Sequence, residues 1–163
     1  MNQGREPESV SLPLVIGVGN AYRGDDAAGL LIARRVAEAA PGAARVVEES
    51  GEGAALLEAW RDAPFVVLCD AVQSGAAPGT VHRLAPDRAP VPTGFFRYST
   101  HAFSVAEAIE LARALGELPP RMLVYGIEGA DFAAGTALSP TVAGAVAAAV
   151  RAVVADLQTY NKE

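Results

Sequence analysis

Residues 12–26 read LPLVIGVGNAYRGDD, a short apolar run followed by a glycine-asparagine turn and two adjacent carboxylates. The apolar run predicts a buried parallel strand, because such strands are covered on both faces and lack polar alternation. Ligands of open α/β sheets bind at the carboxyl ends of parallel strands. The stretch therefore predicts an α/β fold whose functional groups follow this first strand.

The turn matches two nucleotide-binding loops only in part. A dinucleotide fingerprint needs a third glycine at the position of Tyr22, although Glu48 and Glu49 stand where an acid can bind the ribose. A phosphate-binding P-loop needs Lys and then Ser or Thr after its last glycine, and this chain has Asp25 and Asp26 there. Two carboxylates suit a cation better than a phosphate. A cation site and an NAD-binding oxidoreductase both remain open, as does a helix merely capped by Asp25.

Composition limits the class of protein. The 163 residues are 51% hydrophobic, carry a formal net charge of −6 and include one cysteine. This length predicts a single domain, residues 11–163, after a loose polar N-terminal tail, residues 1–10. The negative charge argues against a nucleic-acid partner, and no run approaches the ~18 apolar residues of a membrane span. With no signal-peptide pattern and a lone cysteine, we expect a cytoplasmic protein.

Apolar runs and turn residues predict alternating strands and helices along the chain. The predicted strands are 12–18, 44–48, 65–71, 80–84 and 122–127, and the predicted helices are 26–40, 53–61, 101–115 and one that opens at Ser139-Pro140. The fourth strand is expected at an edge, antiparallel to the third because their connection is short. Residues 85–99 form a long loop, and Thr100 is expected to cap the third helix. The pattern predicts a three-layer α/β/α sandwich with a mostly parallel sheet.

Three polar residues are expected at one edge of this sheet. Strands one and three end at the same edge, so Asp26 and Asp70 are expected to converge there. Asp70 interrupts an apolar strand, where it either caps the strand end or needs water or a cation. His101 is placed in the first turn of a helix, where the dipole favours neutral imidazole, the metal-binding form. A hydrogen-bonded histidine is the alternative, and otherwise the three residues predict a site for Zn, Ni, Mn or Fe.

Other catalytic chemistries find less support. Cys69 is one residue before the strand end and is interpreted as a small buried apolar side chain. His82 is interpreted as a surface residue of the edge strand. No Gly-x-Ser-x-Gly elbow is present, which argues against a serine hydrolase of the α/β type. An aspartic acid pair among Asp25, Asp26 and Asp70 stays open, because sequence does not fix their separation.

Several short segments together resemble a known family. They are Gly17-Val18-Gly19-Asn20, Arg23-Gly24-Asp25-Asp26, Cys69-Asp70-Ala71-Val72, Ala77-Pro78-Gly79-Thr80 and Ser99-Thr100-His101. In this order and at this spacing they are similar to the hydrogenase maturation proteases, nickel-dependent endopeptidases that process [NiFe]-hydrogenase large subunits. The resemblance runs from Leu14 to the final helix. It implies an α/β/α fold with a twisted five-stranded sheet.

The resemblance also implies a site and a substrate. The family binds metal through an acid after the glycine-asparagine turn, an aspartate that ends a later strand, and a histidine. These fall on Asp26, Asp70 and His101 here, with Arg23 and Asp25 shaping the site or contacting the substrate. The implied reaction recognises nickel presented by the large-subunit precursor and removes a C-terminal peptide. A chaperone that binds the precursor without cutting it is the non-catalytic alternative.

The chain departs from the family pattern in one place. Many members have Asp-Gly-Gly-Thr after the second strand, and this chain has Glu49-Ser50-Gly51-Glu52-Gly53 with Glu52 in the place of the threonine. This change bears on substrate specificity more than on the expected metal ligands. The turn Glu128-Gly129-Ala130-Asp131 after the fifth strand offers further carboxylates without an assigned role, and its simpler interpretation is a solvated loop.

Overall fold

The computed structural model describes residues 11–92, 94–96 and 101–163, so the predicted tail at residues 1–10 lies outside it. The strands are β1 Leu14–Val18, β2 Arg45–Glu49, β3 Phe65–Val72, β4 Val81–Leu84 and β5 Arg121–Glu128. The helices are α1 Ala28–Ala39, α2 Gly53–Ala59, α3 Val105–Leu115 and α4 Pro140–Asn161. A 3-10 turn, Gly24–Ala27, precedes α1.

The five strands form one sheet in the order β2-β1-β3-β5-β4, with β4 antiparallel to β5 and all other neighbours parallel. The predicted α/β architecture with a mostly parallel sheet is confirmed. The prediction that β4 pairs with β3 is wrong, because β5 lies between them. Residues 73–80 are long enough to pass over the end of β5, where Glu128 exchanges backbone hydrogen bonds with Gly79 and Thr80.

Helices cover both faces of the sheet. On one face, α1 and α4 pack together over inward side chains such as Val67 and Tyr125. On the other face, α2 and α3 pack together over Leu68 and Val124. Successive residues of β3 therefore enter opposite clusters, as the two-residue period of a strand requires, and every residue of β3 is buried. This explains why its sequence is unbroken in hydrophobicity.

The C-terminal helix α4 is a layer of this sandwich. By length and composition alone it could cross a membrane, with a hydropathy of 1.5 in its most apolar window. This differs from the expectation that no segment approaches a membrane span. One face of the helix, including Val142, Val146 and Val153, is fully buried against α1 and the sheet. The hydrophobicity of this face of α4 therefore belongs to the protein core.

Two helices begin later than predicted. The predicted first helix opens at Asp26, but this residue lies in the 3-10 turn and the α-helix begins at Ala28. The third helix begins at Val105, where Ser104 and Glu107 form a capping box. His101 is therefore outside the first turn of α3, and the predicted cap at Thr100 lies outside the described residues. The helix-dipole argument for a neutral His101 does not apply.

Two glycines allow α1 to approach the sheet very closely. A Cβ atom placed on Gly29 would lie 2.3 Å from the Cys69 carbonyl oxygen and 2.4 Å from that of Val18. A Cβ atom on Gly17 would lie 2.6 Å from the Cβ atom of Ala33. Only glycine fits at such approaches of two main chains. The start of α1 is thereby held against the carboxyl ends of β1 and β3.

We expect Gly29→Ala to lower the free energy of unfolding by about 3 kcal/mol, the upper end of the usual cost of overpacking, because the added methyl meets backbone atoms that cannot move away. Gly144→Ala is the matched control, since Gly144 lies in α4 with no atom within 4 Å of the new methyl. That variant should gain up to about 1 kcal/mol from helix propensity. Urea unfolding of both variants measures the difference, and equal stabilities would contradict the close approach.

Candidate functional site

The turn after β1 carries Asp26 to the carboxyl edge of the sheet. The Asn20 N–H donates to Asp26 Oδ2 at 3.0 Å, and the Tyr22 N–H donates to Asn20 Oδ1 at 2.9 Å. Gly19 adopts a φ of +152°, and a Cβ atom on it would lie 2.0 Å from the Asp26 carbonyl oxygen. The chain's own backbone thus fills the space beside this glycine. The turn is built to fix Asp26.

Asp70 stands near the end of β3, close enough to Asp26 for the two carboxylates to interact electrostatically. Asp70 is only 6% exposed. Burial raises its pKa well above the ordinary value, and the negative charge of Asp26 raises it further against a hydrogen bond from the Ala71 N–H. Burial also raises the pKa of Asp26, although the Asn20 N–H and Arg23 oppose the rise. A cation between the two carboxylates would remove this repulsion.

His101 lies at the same edge, over the turn between β2 and α2. A Cβ atom placed on Gly51 would lie 3.9 Å from His101 Cδ2 and 3.1 Å from Val18 Cγ1. The imidazole is therefore next to the carboxyl ends of β1 and β2, on the side of the sheet occupied by α2 and α3. It is partly exposed to solvent.

The structure places two of the three predicted ligands close enough to interact electrostatically and the third at the same edge of the sheet. Within the described part of the chain, no three His, Cys, Asp or Glu side chains lie close enough together to hold a metal ion. Two carboxylate oxygens and one imidazole nitrogen nevertheless form a donor set that suits nickel, zinc or iron. The assignment of Asp26, Asp70 and His101 as metal ligands stays a prediction.

Asp25 has a structural role that differs from capping its own helix. Its carboxylate is fully buried and accepts hydrogen bonds from the Ala130, Asp131 and Ser139 N–H groups at 2.7–2.9 Å, and from the Ser139 hydroxyl. Burial raises its pKa, but these hydrogen bonds outweigh burial and hold it below the ordinary value. A side chain enclosed in this way cannot contact a substrate. Asp25 shapes the site by tying the turn before α1 to the connection between β5 and α4.

Glu52, which stands in the place of the family's threonine, caps α2. Its two carboxylate oxygens accept from the Ala54 and Ala55 N–H groups, each at 2.9 Å. These hydrogen bonds lower the pKa of Glu52 against a small desolvation, and the nearby His101 lowers it further. The departure from the family pattern therefore keeps the cap and adds a negative charge beside His101.

The sequence analysis missed a buried polar cluster at the end of β5. Glu128 is 1% exposed, so its interpretation as part of a solvated loop is wrong. Its carboxylate accepts from the Ser74 N–H at 2.9 Å, from the Ser74 hydroxyl, and from His82 Nε2 at 3.1 Å. The His82 side chain is only 22% exposed and packs edge-on against Phe95, so it is not a simple surface residue. Glu128 ends an apolar strand, as Asp70 nearly does. This position in the sequence was the available signal that Glu128 is buried and hydrogen-bonded.

Cys69 matches its interpretation. It is fully buried, and its side chain lies in the hydrophobic cluster covered by α1 and α4. Burial raises the pKa of its thiol, and the Asp70 carboxylate raises it further. A thiol kept protonated in this way is not a nucleophile.

Comparisons with known proteins indicate one family along most of the chain. The protein family described as hydrogenase maturation protease matches residues 31–156. The hydrogenase expression/formation protein HupD of Rhodobacter capsulatus is 31% identical over 163 residues, covering 97% of this chain and 75% of the relative. The hydrogenase 2 maturation protease of Escherichia coli K12 is 28% identical, covering 92% and 93%. Some other curated relatives are matched over only 55–58% of their own length.

Solved structures share the fold. The hydrogenase maturating endopeptidase HybD from Escherichia coli superimposes with a TM-score of 0.76 at 25% identity, covering 91% of this chain and 93% of that one. The [NiFe] hydrogenase maturation protease HybD from Thermococcus kodakarensis superimposes with a TM-score of 0.66 at 24% identity. The architecture of this chain is therefore the one found in these endopeptidases.

We expect Asp70→Asn to raise the free energy of unfolding by about 1 kcal/mol, the typical size of a single-substitution effect. The neutral amide removes a buried charge that faces Asp26 and keeps the shape of the side chain. Glu38→Gln on the exposed face of α1 is the control and should change stability by less than about 0.5 kcal/mol. Chemical denaturation at neutral pH compares the two. A destabilised Asp70→Asn variant would show that the Asp70 charge is already compensated within the chain.

Proposed function

This chain belongs to the hydrogenase maturation protease family, and on that premise we propose that it is an endopeptidase acting on a [NiFe]-hydrogenase large-subunit precursor. It recognises nickel in the precursor and removes the precursor's C-terminal peptide. The observation that carries this proposal is the position of two carboxylates, Asp26 and Asp70, at the carboxyl edge of the sheet, where they interact electrostatically. Their mutual repulsion favours a cation there, and His101 at the same edge supplies a nitrogen ligand.

In this proposal nickel arrives as part of the substrate. Asp26 and Asp70 lower their mutual repulsion when the precursor's nickel lies between them, so binding energy is gained only from a loaded precursor. His101 completes the contact from the β2–α2 side. Recognition is thereby coupled to the presence of the metal, and an empty precursor is left uncut. Nickel supplies a positive charge and open coordination positions, and the chain's own residues hold the precursor at the edge where its peptide bond is hydrolysed.

The geometry speaks against the oxidoreductase alternative. A dinucleotide needs room for its pyrophosphate beside the glycine turn. Here the Asp26 carbonyl occupies the space beside Gly19, and two carboxylates follow it. The space that a pyrophosphate would occupy is therefore filled by backbone, and the negative charge of the turn disfavours an anion there.

We also propose that the protein acts in the cytoplasm on a precursor that it meets as a soluble partner, without nucleic acid or membrane. The single cysteine of the chain is buried in the core and has no second cysteine with which to form a disulfide. This agrees with a reducing compartment.

The proposal is tested by incubating purified large-subunit precursor, nickel-loaded or nickel-free, with the protein and measuring intact masses. The loaded precursor should lose a C-terminal peptide and the nickel-free precursor should not. Asp26→Asn, Asp70→Asn and His101→Ala should each lower the cleavage rate at least tenfold, because the asparagines lose the negative charge that attracts the nickel and the alanine loses the nitrogen ligand. Glu38→Gln serves as the control and should cleave at the wild-type rate.

Different results would contradict different parts of the proposal. Binding of the precursor without any loss of mass would identify a chaperone and exclude the protease. Unchanged cleavage by the Asp70→Asn and His101→Ala variants would exclude the assigned ligands. Tight binding of NADH in calorimetry would favour the oxidoreductase.

A further inference from the structure

The turn between β2 and α2, residues 50–53, packs directly against the segment that carries His101. The Gly53 N–H donates to the Phe103 carbonyl at 2.9 Å, so the first residue of α2 is joined to a residue two positions after His101. The Phe103 ring lies on the same glycine. This segment precedes α3 and has no helical hydrogen bonds of its own to hold it. Its position depends on such contacts.

Position 53 is occupied by glycine because the Phe103 ring leaves no room for a side chain there. Its φ is outside the left-handed region, so its backbone conformation is open to any residue. A Cβ atom on it would lie 2.4 Å from Cδ1, 2.5 Å from Cε1 and 2.9 Å from Cγ of the Phe103 ring. Real Cβ atoms essentially never come this close to a neighbour. The ring therefore sits against the main chain of α2, and any side chain at position 53 must push it away.

The other residues of the turn face His101 itself. Gly51 has a φ of +97°, and a Cβ atom placed on it would lie 3.9 Å from His101 Cδ2, in ordinary van der Waals contact. Glu52 is fixed by its two hydrogen bonds to α2 and interacts electrostatically with His101. Three consecutive residues thus touch or face the segment from His101 to Phe103.

We propose that the β2–α2 turn and Phe103 are positioning residues that hold the His101 imidazole at the carboxyl edge of the sheet. This inference rests on the proposed function, in which His101 is a nickel ligand. It adds that the position of His101 depends on a second loop, the β2–α2 turn. A ligand must be held within about 0.5 Å of its productive position, and a loop residue reaches this precision only when its neighbours are packed. A methyl group at position 53 displaces the ring and thereby disturbs the segment two residues from His101.

The chain contains two histidines, His82 and His101, so the imidazole of each can be followed separately by NMR of the free protein. The two signals are assigned with His82→Phe and His101→Ala variants. In Gly53→Ala the His101 signal should shift and the His82 signal should stay. Gly144→Ala, the same substitution where no atom lies within 4 Å of the new methyl, should leave both signals unchanged.

Cleavage of nickel-loaded precursor supplies the second readout. The kcat/KM of Gly53→Ala should fall at least tenfold and that of Gly144→Ala should stay within twofold of wild type. The double variant Gly53→Ala with Phe103→Leu gives the methyl room and should recover part of the lost kcat/KM, which a general loss of stability would not do. If Gly53→Ala does not fold, Phe103→Ala removes the ring without adding an atom and should also shift the His101 signal.

An unchanged His101 signal in folded Gly53→Ala or Phe103→Ala would overturn the inference, whatever happens to cleavage. An equal loss of activity in Gly144→Ala would overturn it as well. The NMR measurement needs no precursor, so it decides the positioning role even if the proposed function fails. The proposed function fails separately if the His101→Ala variant cleaves the nickel-loaded precursor at the normal rate, or if the wild-type protein does not cleave it.

Discussion

The site depends on the close approach of α1 to the ends of β1 and β3. Gly17 and Gly29 remove the side chains that would separate these main chains, and the carbonyl oxygens of Val18 and Cys69 lie directly against the first turn of the helix. Because the helix start is so close, the preceding turn has to fold back over the sheet edge. This turn carries Asp26 towards Asp70. The close approach of the α1 backbone to the strand ends therefore also brings two negatively charged side chains near each other.

The acidic side chains of this edge fall into two groups. Asp25 and Glu128 are buried and accept several hydrogen bonds from segments that follow β3 and β5, which stabilises the connections at this edge. Asp26 accepts a hydrogen bond from the Asn20 N–H, and its negative charge raises the pKa of Asp70. The first pair fixes the loops, and the second pair retains a repulsion that a cation would relieve. A stable scaffold and a destabilised pair are therefore found within one short stretch of the sheet edge.

Much of this arrangement was predictable from local patterns. The unbroken apolar run of β3, the glycine turn after β1 and Ser139-Pro140 at the start of α4 predicted the elements in their order, because each signal acts within a few residues. The pairing of β4 with β5 and the burial of Glu128 depend on partners distant in sequence. The start of α3 at Val105 follows a local signal, the capping box of Ser104 and Glu107, which the choice of Thr100 as the cap overlooked. His82 meets Glu128 across 46 residues, and nothing near either residue indicates the contact. For the same reason the sequence predicted Asp26, Asp70 and His101 as a group but not the turn on which His101 rests.

The partners of Asp25 have a consequence for the order in which the protein is made. Ala130 and Ser139 follow Asp25 by 105 and 114 residues, so its hydrogen bonds form only after synthesis has passed Ser139. Until then, folding of the acidic turn would bury a carboxylate without donors, at a cost that opposes folding of the turn. A chain that ends before these donors therefore lacks the contacts that fix the turn carrying Asp26.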